Sequence, residues 1–249
     1  MNLLSKLSGF FISENLDSKN VEEQEISKQE VKKDLFKYIY EHEKLKLIFT
    51  NAIESEEPIH ILLTGSPGTA KSLFLEAISD TVKQSYFINN NSTGAGIISF
   101  LYDHPELKFL LIDEIEKLKK DELSVLLSLM ENQRLVITKK TMICNRKQKL
   151  TIFATCNNKN KLAPEMLSRF LKFHLKKYSF EEFIKISTNI VTERFNKKEE
   201  YAQKLALAVW YKMNSKDIRD ILKVARLAKN ESDIDMIIEA IQEYRDQEQ

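Results

Sequence analysis

One segment, LLTGSPGTAKSLFLEAI, constrains the fold of this chain more than any other. The apolar run PIHILLT, typical of a buried parallel strand, enters a loop that contains Gly65 and Gly68, and a run with helical periodicity follows at once. The backbone N–H groups of such a loop, with the helix dipole behind them, form a concave site for an anion. The segment therefore predicts a phosphate-binding loop, in which Lys71 reaches the β- and γ-phosphates of a nucleotide. The alternative is a tight turn with an exposed lysine, which the flanking strand and helix disfavour.

The loop departs from the usual pattern at one position. Glycine commonly precedes the lysine, whereas this chain has Ala70. Alanine is tolerated there if the residue already has helical φ and ψ angles, so we expect right-handed helical geometry at Ala70. The expected nucleotide-binding residues are Gly65, Ser66, Pro67, Gly68, Thr69, Ala70, Lys71 and Ser72.

Two carboxylates follow another apolar run. The stretch KFLLIDEIEKL predicts a strand that ends in Asp113 and Glu114. The carboxyl ends of parallel strands face the ligand crevice, so these acids should lie beside the phosphate loop. We expect Ser72 and Asp113 to hold Mg²⁺, Asp113 mainly through water, and Glu114 to polarise the attacking water. Strand ends are often charged, and it is the position of this pair after the phosphate loop that makes it indicative.

Short apolar runs alternate with helix-period segments until Lys177, and only helix-period segments follow. A helical pattern begins near Val31, and further strands are predicted at 85–89, 108–113, 150–155 and 171–175, with helices at 71–82, 94–102 and 121–131. Four more helices are predicted near 180–194, 197–213, 215–229 and 233–245. The fold class is α/β, an open parallel sheet covered on both faces, followed by a small α-helical domain. We expect a mobile N-terminal arm (1–30), an α/β core (31–177) and the helical domain (178–249).

Composition narrows the possible partners. The 38 basic and 37 acidic side chains give a formal net charge of +1, so any site for a polyanion must be local. No apolar run approaches the roughly 18 to 20 residues that a membrane span needs. The first residues are too polar for a convincing secretory signal, and Cys144 and Cys156 fit neither a metal spacing nor a disulfide framework. We expect a cytoplasmic protein with no membrane partner.

These motifs, in this order, resemble those of the AAA+ ATPases over roughly residues 31–245. The resemblance implies a protein that binds and hydrolyses ATP with Mg²⁺ and assembles into a ring, which we expect to be a hexamer. FATCN resembles sensor 1, with Asn157 placing the water at the γ-phosphate. PEMLSRF resembles the arginine-finger segment, with Arg169 reaching the nucleotide of a neighbouring subunit, and KDIRDILKVARLA resembles the sensor 2 helix of a helical lid, with Arg219 as the sensing residue.

The resemblance is greatest to the AAA+ group that has a β-hairpin before sensor 1, which includes RuvB, MCM and MoxR-type ATPases. The hairpin would be the insertion at about 134–150, RLVITKKTMICNRKQKLTIF, where apolar and polar residues alternate. Its basic residues are candidate DNA contacts: Lys139, Lys140, Arg146, Lys147 and Lys149. A solvated hairpin whose lysines resist edge-to-edge aggregation is an almost equal alternative.

The resemblance leaves the substrate open. The first hypothesis is a DNA motor of replication or recombination, of RuvB or MCM type. The second is a MoxR-type chaperone that remodels a protein partner; a simple P-loop kinase is a remote third. The resemblance does not extend to the winged helix of RuvB or the N-terminal domain of MCM, so a separate DNA-recognition or adaptor protein is a possible partner.

Three aromatic residues lie in apolar helical stripes of the predicted lid and are expected to be core residues: Trp210, Phe183 and Tyr201.

Overall fold

The computed structural model describes residues 35–37, 39–88, 94–139 and 142–245. The predicted N-terminal arm (1–30) lies outside these residues. The strands are β1 (Ile61–Thr64), β2 (Ser85–Ile88), β3 (Phe109–Ile112), β4 (Arg134–Lys139), β5 (Met142–Lys147), β6 (Thr151–Cys156) and β7 (Leu171–His174). The α-helices are α1 (Glu43–Glu54), α2 (Lys71–Thr81), α3 (Gly94–Asp103), α4 (Lys120–Asn132), α5 (Pro164–Ser168), α6 (Phe180–Phe195), α7 (Glu199–Tyr211), α8 (Ile218–Leu227) and α9 (Glu231–Arg245).

The predicted apolar strands form one parallel sheet in the order β2–β3–β6–β1–β7. Successive side chains of a strand point to opposite faces, and both faces here are covered. Leu110 accordingly packs in one hydrophobic cluster and its neighbour Leu111 in another. This two-sided burial explains why the strands are continuous apolar runs, and it confirms the predicted α/β class.

The last four helices, α6 to α9, form a small domain, called the lid below, which has a hydrophobic cluster of its own. Ser179 begins α6 as its N-cap, because its hydroxyl accepts a hydrogen bond from the N–H of Glu182. Phe183 is fully buried and Trp210 packs against it, with 5.1 Å between the ring centroids. Together with the buried Tyr201, these aromatic residues belong to the lid core, as their helical spacing predicted.

The segment before β6 forms an antiparallel hairpin, β4 with β5, as a separate two-stranded sheet. At its base the N–H of Gln148 donates to the carbonyl of Gln133 at 2.8 Å, and Leu135 is fully buried. Lys140 and Thr141, which lie between β4 and β5 in the sequence, are outside the described residues. The hairpin is therefore inserted between α4 and the strand that leads to Asn157.

Within the described residues, the helix predicted from about Val31 begins later than expected. The pattern suggested a helix from about Val31, whereas α1 begins at Glu43. Glu41 and His42 have φ angles of 64° and 65°, and two consecutive left-handed residues end any right-handed helix before them. Within the described ranges, no helix has both the length and the apolar character needed to cross a bilayer.

Candidate nucleotide-binding site

A cleft of about 330 Å³ opens where the carboxyl ends of β1, β3 and β6 face the lid. The phosphate loop forms its floor, and Asp113, Glu114 and Asn157 line one side. Residues of α6 and α8 form the opposite side. The cleft therefore lies between the two domains, where a ligand would contact both.

The loop depends on its two glycines. Gly65 has a φ of 147°, and a Cβ atom there would lie 2.3 Å from the carbonyl oxygen of Leu175. Gly68 has a φ of 80°, which side-chain-bearing residues rarely adopt. The hydroxyl of Thr69 donates to the carbonyl of Ser66 at 2.9 Å and closes the turn. Any other residue at either glycine would distort the anion-binding turn.

Ala70 does not have the expected helical geometry. It is the N-cap of α2 with φ 61° and ψ 4°, in the left-handed region. This conformation costs a residue with a Cβ atom roughly 1–2 kcal/mol relative to right-handed geometry. The expectation of helical φ and ψ was wrong because Ala70 still belongs to the turn, where glycine is the unstrained residue.

Lys71 is only 6% exposed and folds back over the loop. Its ammonium group donates to the carbonyl oxygens of Gly65 at 2.9 Å and Ser66 at 2.8 Å. Burial lowers the pKa of Lys71, and the carboxylate of Asp113 opposes that shift. The ammonium group is thus held at the loop, where it can neutralise phosphate oxygens.

Ser72 and Asp113 meet in the cleft. The hydroxyl of Ser72 donates to Oδ1 of Asp113 at 2.9 Å, and the hydroxyl of Thr155 donates to the same oxygen at 2.5 Å. A hydroxyl and one carboxylate suit Mg²⁺, which prefers oxygen ligands and retains waters beside substrate phosphates. Among the described residues, no group of three His, Cys, Asp or Glu side chains is arranged to hold a metal ion. Sequence analysis missed Thr155, which lies two residues before Asn157.

Glu114 is held from two directions. The side-chain amide of Asn157 donates to its Oε1 at 2.6 Å, and Lys117 forms an ion pair with Oε2. Glu114 has a φ of 54°, a conformation that is strained for a residue with a side chain and that is often found at functional sites. Its N–H donates to the Thr155 hydroxyl at 2.8 Å, which fixes the backbone in that conformation.

A third acid, Glu116, was missed by the sequence analysis. Its Oε1 accepts the N–H of Asn157 at 2.8 Å and, more weakly, that of Asn158 at 3.4 Å. The side chain therefore joins the turn after β3 to the turn after β6. The only available signal was an acid two positions after Glu114, which gives no indication of its partners.

The two predicted arginines lie in different places. Arg219, at the start of α8, lines the cleft and pairs with Asp217. Arg169, at the end of α5, does not line the cleft and pairs with Glu131 at the end of α4. The structure thus brings Arg219, but not Arg169, to the candidate nucleotide-binding cleft of its own chain.

An apolar wall completes the cleft beyond the phosphate loop. It is formed by Ile39, Tyr40, Tyr178, Ile186, Ile190, Ile218 and Leu222. Burial raises the pKa of Tyr178 to about 12, so its phenol stays protonated and uncharged. Such a wall suits the flat aromatic base of a nucleotide. Sequence analysis missed it because its residues come from the segment before α1 and from the lid, and no local spacing connects them.

The hairpin's basic residues divide into two groups. Arg146 donates to the carbonyl oxygens of Leu101 and Tyr102, the latter at 2.8 Å, which fastens β5 to the end of α3. Lys149 forms an ion pair with Glu57. Both side chains therefore contact groups of their own chain, and DNA contact at these two positions stays a prediction. Lys147 is exposed at the end of β5, and Lys139 ends β4 near the tip.

Residues 61–178 match the family model described as ATPase family associated with various cellular activities (AAA). This segment contains the phosphate loop, both strand-end carboxylates and Asn157. The α/β core of the chain is therefore similar to AAA+ domains over these residues, which confirms the resemblance found in the sequence.

Curated relatives of the chain include DNA replication licensing factors. DNA replication licensing factor MCM4 of Drosophila melanogaster is 29% identical over 142 residues, which are 51% of this chain and 16% of the relative. DNA replication licensing factor mcm2 of Xenopus tropicalis is 27% identical over 147 residues, 48% of this chain and 17% of the relative. The chain thus spans about a sixth of these proteins' length.

Two solved structures share the fold. The Thermotoga maritima RuvB Holliday junction branch migration motor has a TM-score of 0.56 and 19% identity, covering 75% of this chain and 61% of that chain. A RuvB mutant from the same organism has a TM-score of 0.60 and 18% identity, covering 81% and 69%. At this identity the similarity concerns the fold alone.

Proposed function

We propose that this protein hydrolyses ATP with Mg²⁺, as an AAA+ ring that acts on DNA. One observation carries the ATPase proposal. Lys71, the Ser72–Asp113 pair and the Asn157–Glu114 pair come from three adjacent strands and converge on one cleft.

The proposed chemistry is phosphoryl transfer to water, in which the protein positions the reactants and stabilises charge. Lys71 neutralises the phosphate oxygens from the floor of the cleft. Bound Mg²⁺, held by Ser72 and Asp113, would neutralise charge on the phosphates. Glu114 polarises the attacking water, and the amide of Asn157 keeps that carboxylate oriented. The apolar wall packs against the base and excludes water from that end of the cleft.

Two variants test the ATPase proposal. Lys71→Ala should abolish nucleotide binding because it removes the cation from the loop. Glu114→Gln should still bind ATP and lose hydrolysis, because the neutral amide cannot polarise water. Calorimetry and phosphate release would measure the two effects, with Lys185→Ala, an exposed lid substitution, as the matched control. Normal hydrolysis by Glu114→Gln would refute the role of Glu114.

The ring and the DNA substrate rest on other support. Arg169 lies outside its own chain's cleft, which suits a residue that completes a neighbour's site. The names of the relatives refer to DNA replication and to branch migration. A hexamer in the cytoplasm, with a separate DNA-recognition or adaptor protein, belongs to the same proposal.

A MoxR-type chaperone is the second candidate. The observation that favours it is that Arg146 binds the carbonyl oxygen of Tyr102 and Lys149 pairs with Glu57. These contacts within the chain reduce the basic charge available to DNA. ATPase rates with single-stranded, duplex and four-way-junction DNA would separate the two. Stimulation by any of these supports the DNA motor, whereas stimulation only by a co-purifying protein supports the chaperone.

A further inference from the structure

Asp217, an acid of the lid, lies directly against the phosphate loop. A Cβ atom built on Gly68 would be 2.8 Å from Cγ of Asp217 and 3.0 Å from each of its carboxylate oxygens. Asp217 also lines the cleft. A carboxylate is therefore packed on the turn whose N–H groups are expected to bind phosphate, where it would repel an anion.

Arg219 neutralises this carboxylate. Its Nε lies 3.1 Å and 3.0 Å from the two oxygens of Asp217, and its terminal nitrogen forms an ion pair at 2.9 Å. The arginine side chain is 64% exposed and that of Asp217 is 28% exposed. The pair is thus partly solvated, and neither charge is locked in the protein interior.

Arg219 is also electrostatically coupled to the catalytic end of the cleft. Its hydrogen bonds to Asp217 raise the pKa of the guanidinium, and the carboxylate of Asp113 adds to this increase. Arg219 in turn lowers the pKa of Lys71. Arg219 also lines the same cleft as Lys71 and Asp113, so an anion held by Lys71 would share that cleft with the guanidinium.

We propose that Asp217 competes with the bound nucleotide for Arg219, so that a triphosphate draws Arg219 away from Asp217 whereas a diphosphate leaves the pair intact. This inference rests on the nucleotide site proposed above. In the triphosphate state the carboxylate of Asp217 is left without its counter-charge beside the phosphates. Asp217 thereby weakens the binding of ATP relative to ADP.

The test is Asp217→Asn. Asparagine keeps the N-cap of α8, where Asp217 now accepts the N–H of Arg219 at 2.9 Å, and removes the charge. ATP-analogue affinity should rise about three- to tenfold, the effect of one partly exposed charge, and ADP affinity should rise less. Titration calorimetry with ADP and a non-hydrolysable ATP analogue would measure both dissociation constants. Asp217→Ser, in which the serine hydroxyl would cap the helix instead, replaces the first variant if that variant fails to fold.

Two controls make the result specific. Asp235→Asn removes another lid acid, paired with Lys212, and should leave both affinities unchanged. In an Arg219→Ala background, Asp217→Asn should shift both nucleotides equally, since no partner exchange remains. An unchanged ratio of ADP to ATP affinity in Asp217→Asn would overturn the inference. Failure of the unaltered protein to bind either nucleotide would instead overturn the proposed function.

Discussion

The side-chain amide of Asn157 donates to the carboxylate of Glu114 across 2.6 Å, and the N–H of the same asparagine donates to Glu116 at 2.8 Å. Asn157 therefore connects two acids of one turn. Glu114 faces the cleft, whereas Glu116 does not line it and contacts the backbone of Asn157. Glu116 fixes the backbone of Asn157, and the side chain of Asn157 orients Glu114.

We predict that Glu116 acts on catalysis through Asn157. Glu116→Leu should lower kcat by about 10²-fold, because a displacement of about 1 Å in a positioning group can cost that much. KM should change little. Glu116→Gln keeps an acceptor for the two N–H groups and should retain most of the activity. Steady-state kinetics would show this difference. Glu122→Gln, which alters a similar backbone cap on α4, is the control and should leave kcat unchanged. Equal loss of activity in the leucine and glutamine variants would contradict the positioning role.

The left-handed conformation of Ala70 predicts a stabilising substitution. Ala70→Gly should increase the free energy of unfolding by about 1 kcal/mol, because glycine adopts this conformation without strain. Urea denaturation would measure the change. Ala77→Gly, in the interior of α2, should instead destabilise by roughly 1 kcal/mol. Destabilisation by both variants would show that Ala70 is not strained.

Arg169 should act on the nucleotide of a neighbouring subunit. Arg169→Ala should bind ATP normally and lose most of its activity, since fingers supplied in trans contribute on the order of 10³- to 10⁵-fold. Mixing it with Lys71→Ala protein should restore some activity, because mixed rings pair an intact finger with an intact cleft. No recovery at any mixing ratio, in rings shown to be mixed, would place Arg169 in a structural or cis role.

Three lysines of the hairpin insertion should carry DNA affinity. Replacing Lys139, Lys140 and Lys147 together with alanine should flatten the log–log salt dependence of DNA binding by several units in a ring, since each duplex phosphate contact contributes roughly 0.9. Basal ATPase should survive, because the hairpin insertion supplies no residue of the proposed nucleotide site and Lys147, which the structure describes, does not line the cleft. Replacing the lid residues Lys185, Lys204 and Lys212 is the charge-matched control. An unchanged salt slope in the folded hairpin variant would favour the chaperone.

His60 predicts a pH-dependent stability. Burial lowers its pKa to about 4, from an ordinary value of 6.5, and its Nδ1 accepts the N–H of Ile152 at 3.1 Å. Between these pKa values the unfolded chain binds a proton that the folded chain does not, so stability falls as pH falls. From pH 7.5 to pH 5 this group should cost about 2 kcal/mol. Chemical denaturation at both pH values would test it: His60→Asn should show a smaller difference, and an identical difference would refute the assignment.

Local sequence predicted the sheet, the phosphate loop and the strand-end acids, because each depends on neighbours in the chain. For example, the adjacent apolar residues Leu110 and Leu111 already indicate a strand that is buried on both faces. The contact of Asp217 with Gly68, the apolar wall that includes Tyr40, and the attachment of Arg146 to α3 could not be predicted. These contacts join segments far apart in sequence, and no spacing rule specifies them. The conformation of Ala70 was missed for a different reason, since alanine is ordinarily a strong helix former.

The short connection between the hairpin and the sheet has a mechanical consequence. Only residues 148–150 separate β5 from β6, and β6 is hydrogen-bonded to β3 on one side and to β1 on the other. A strand that is paired on both sides moves along its axis only when several backbone hydrogen bonds break together, so β6 is rigid along its length. A force applied to the hairpin would therefore displace Asn157, at the other end of β6, by nearly the same distance.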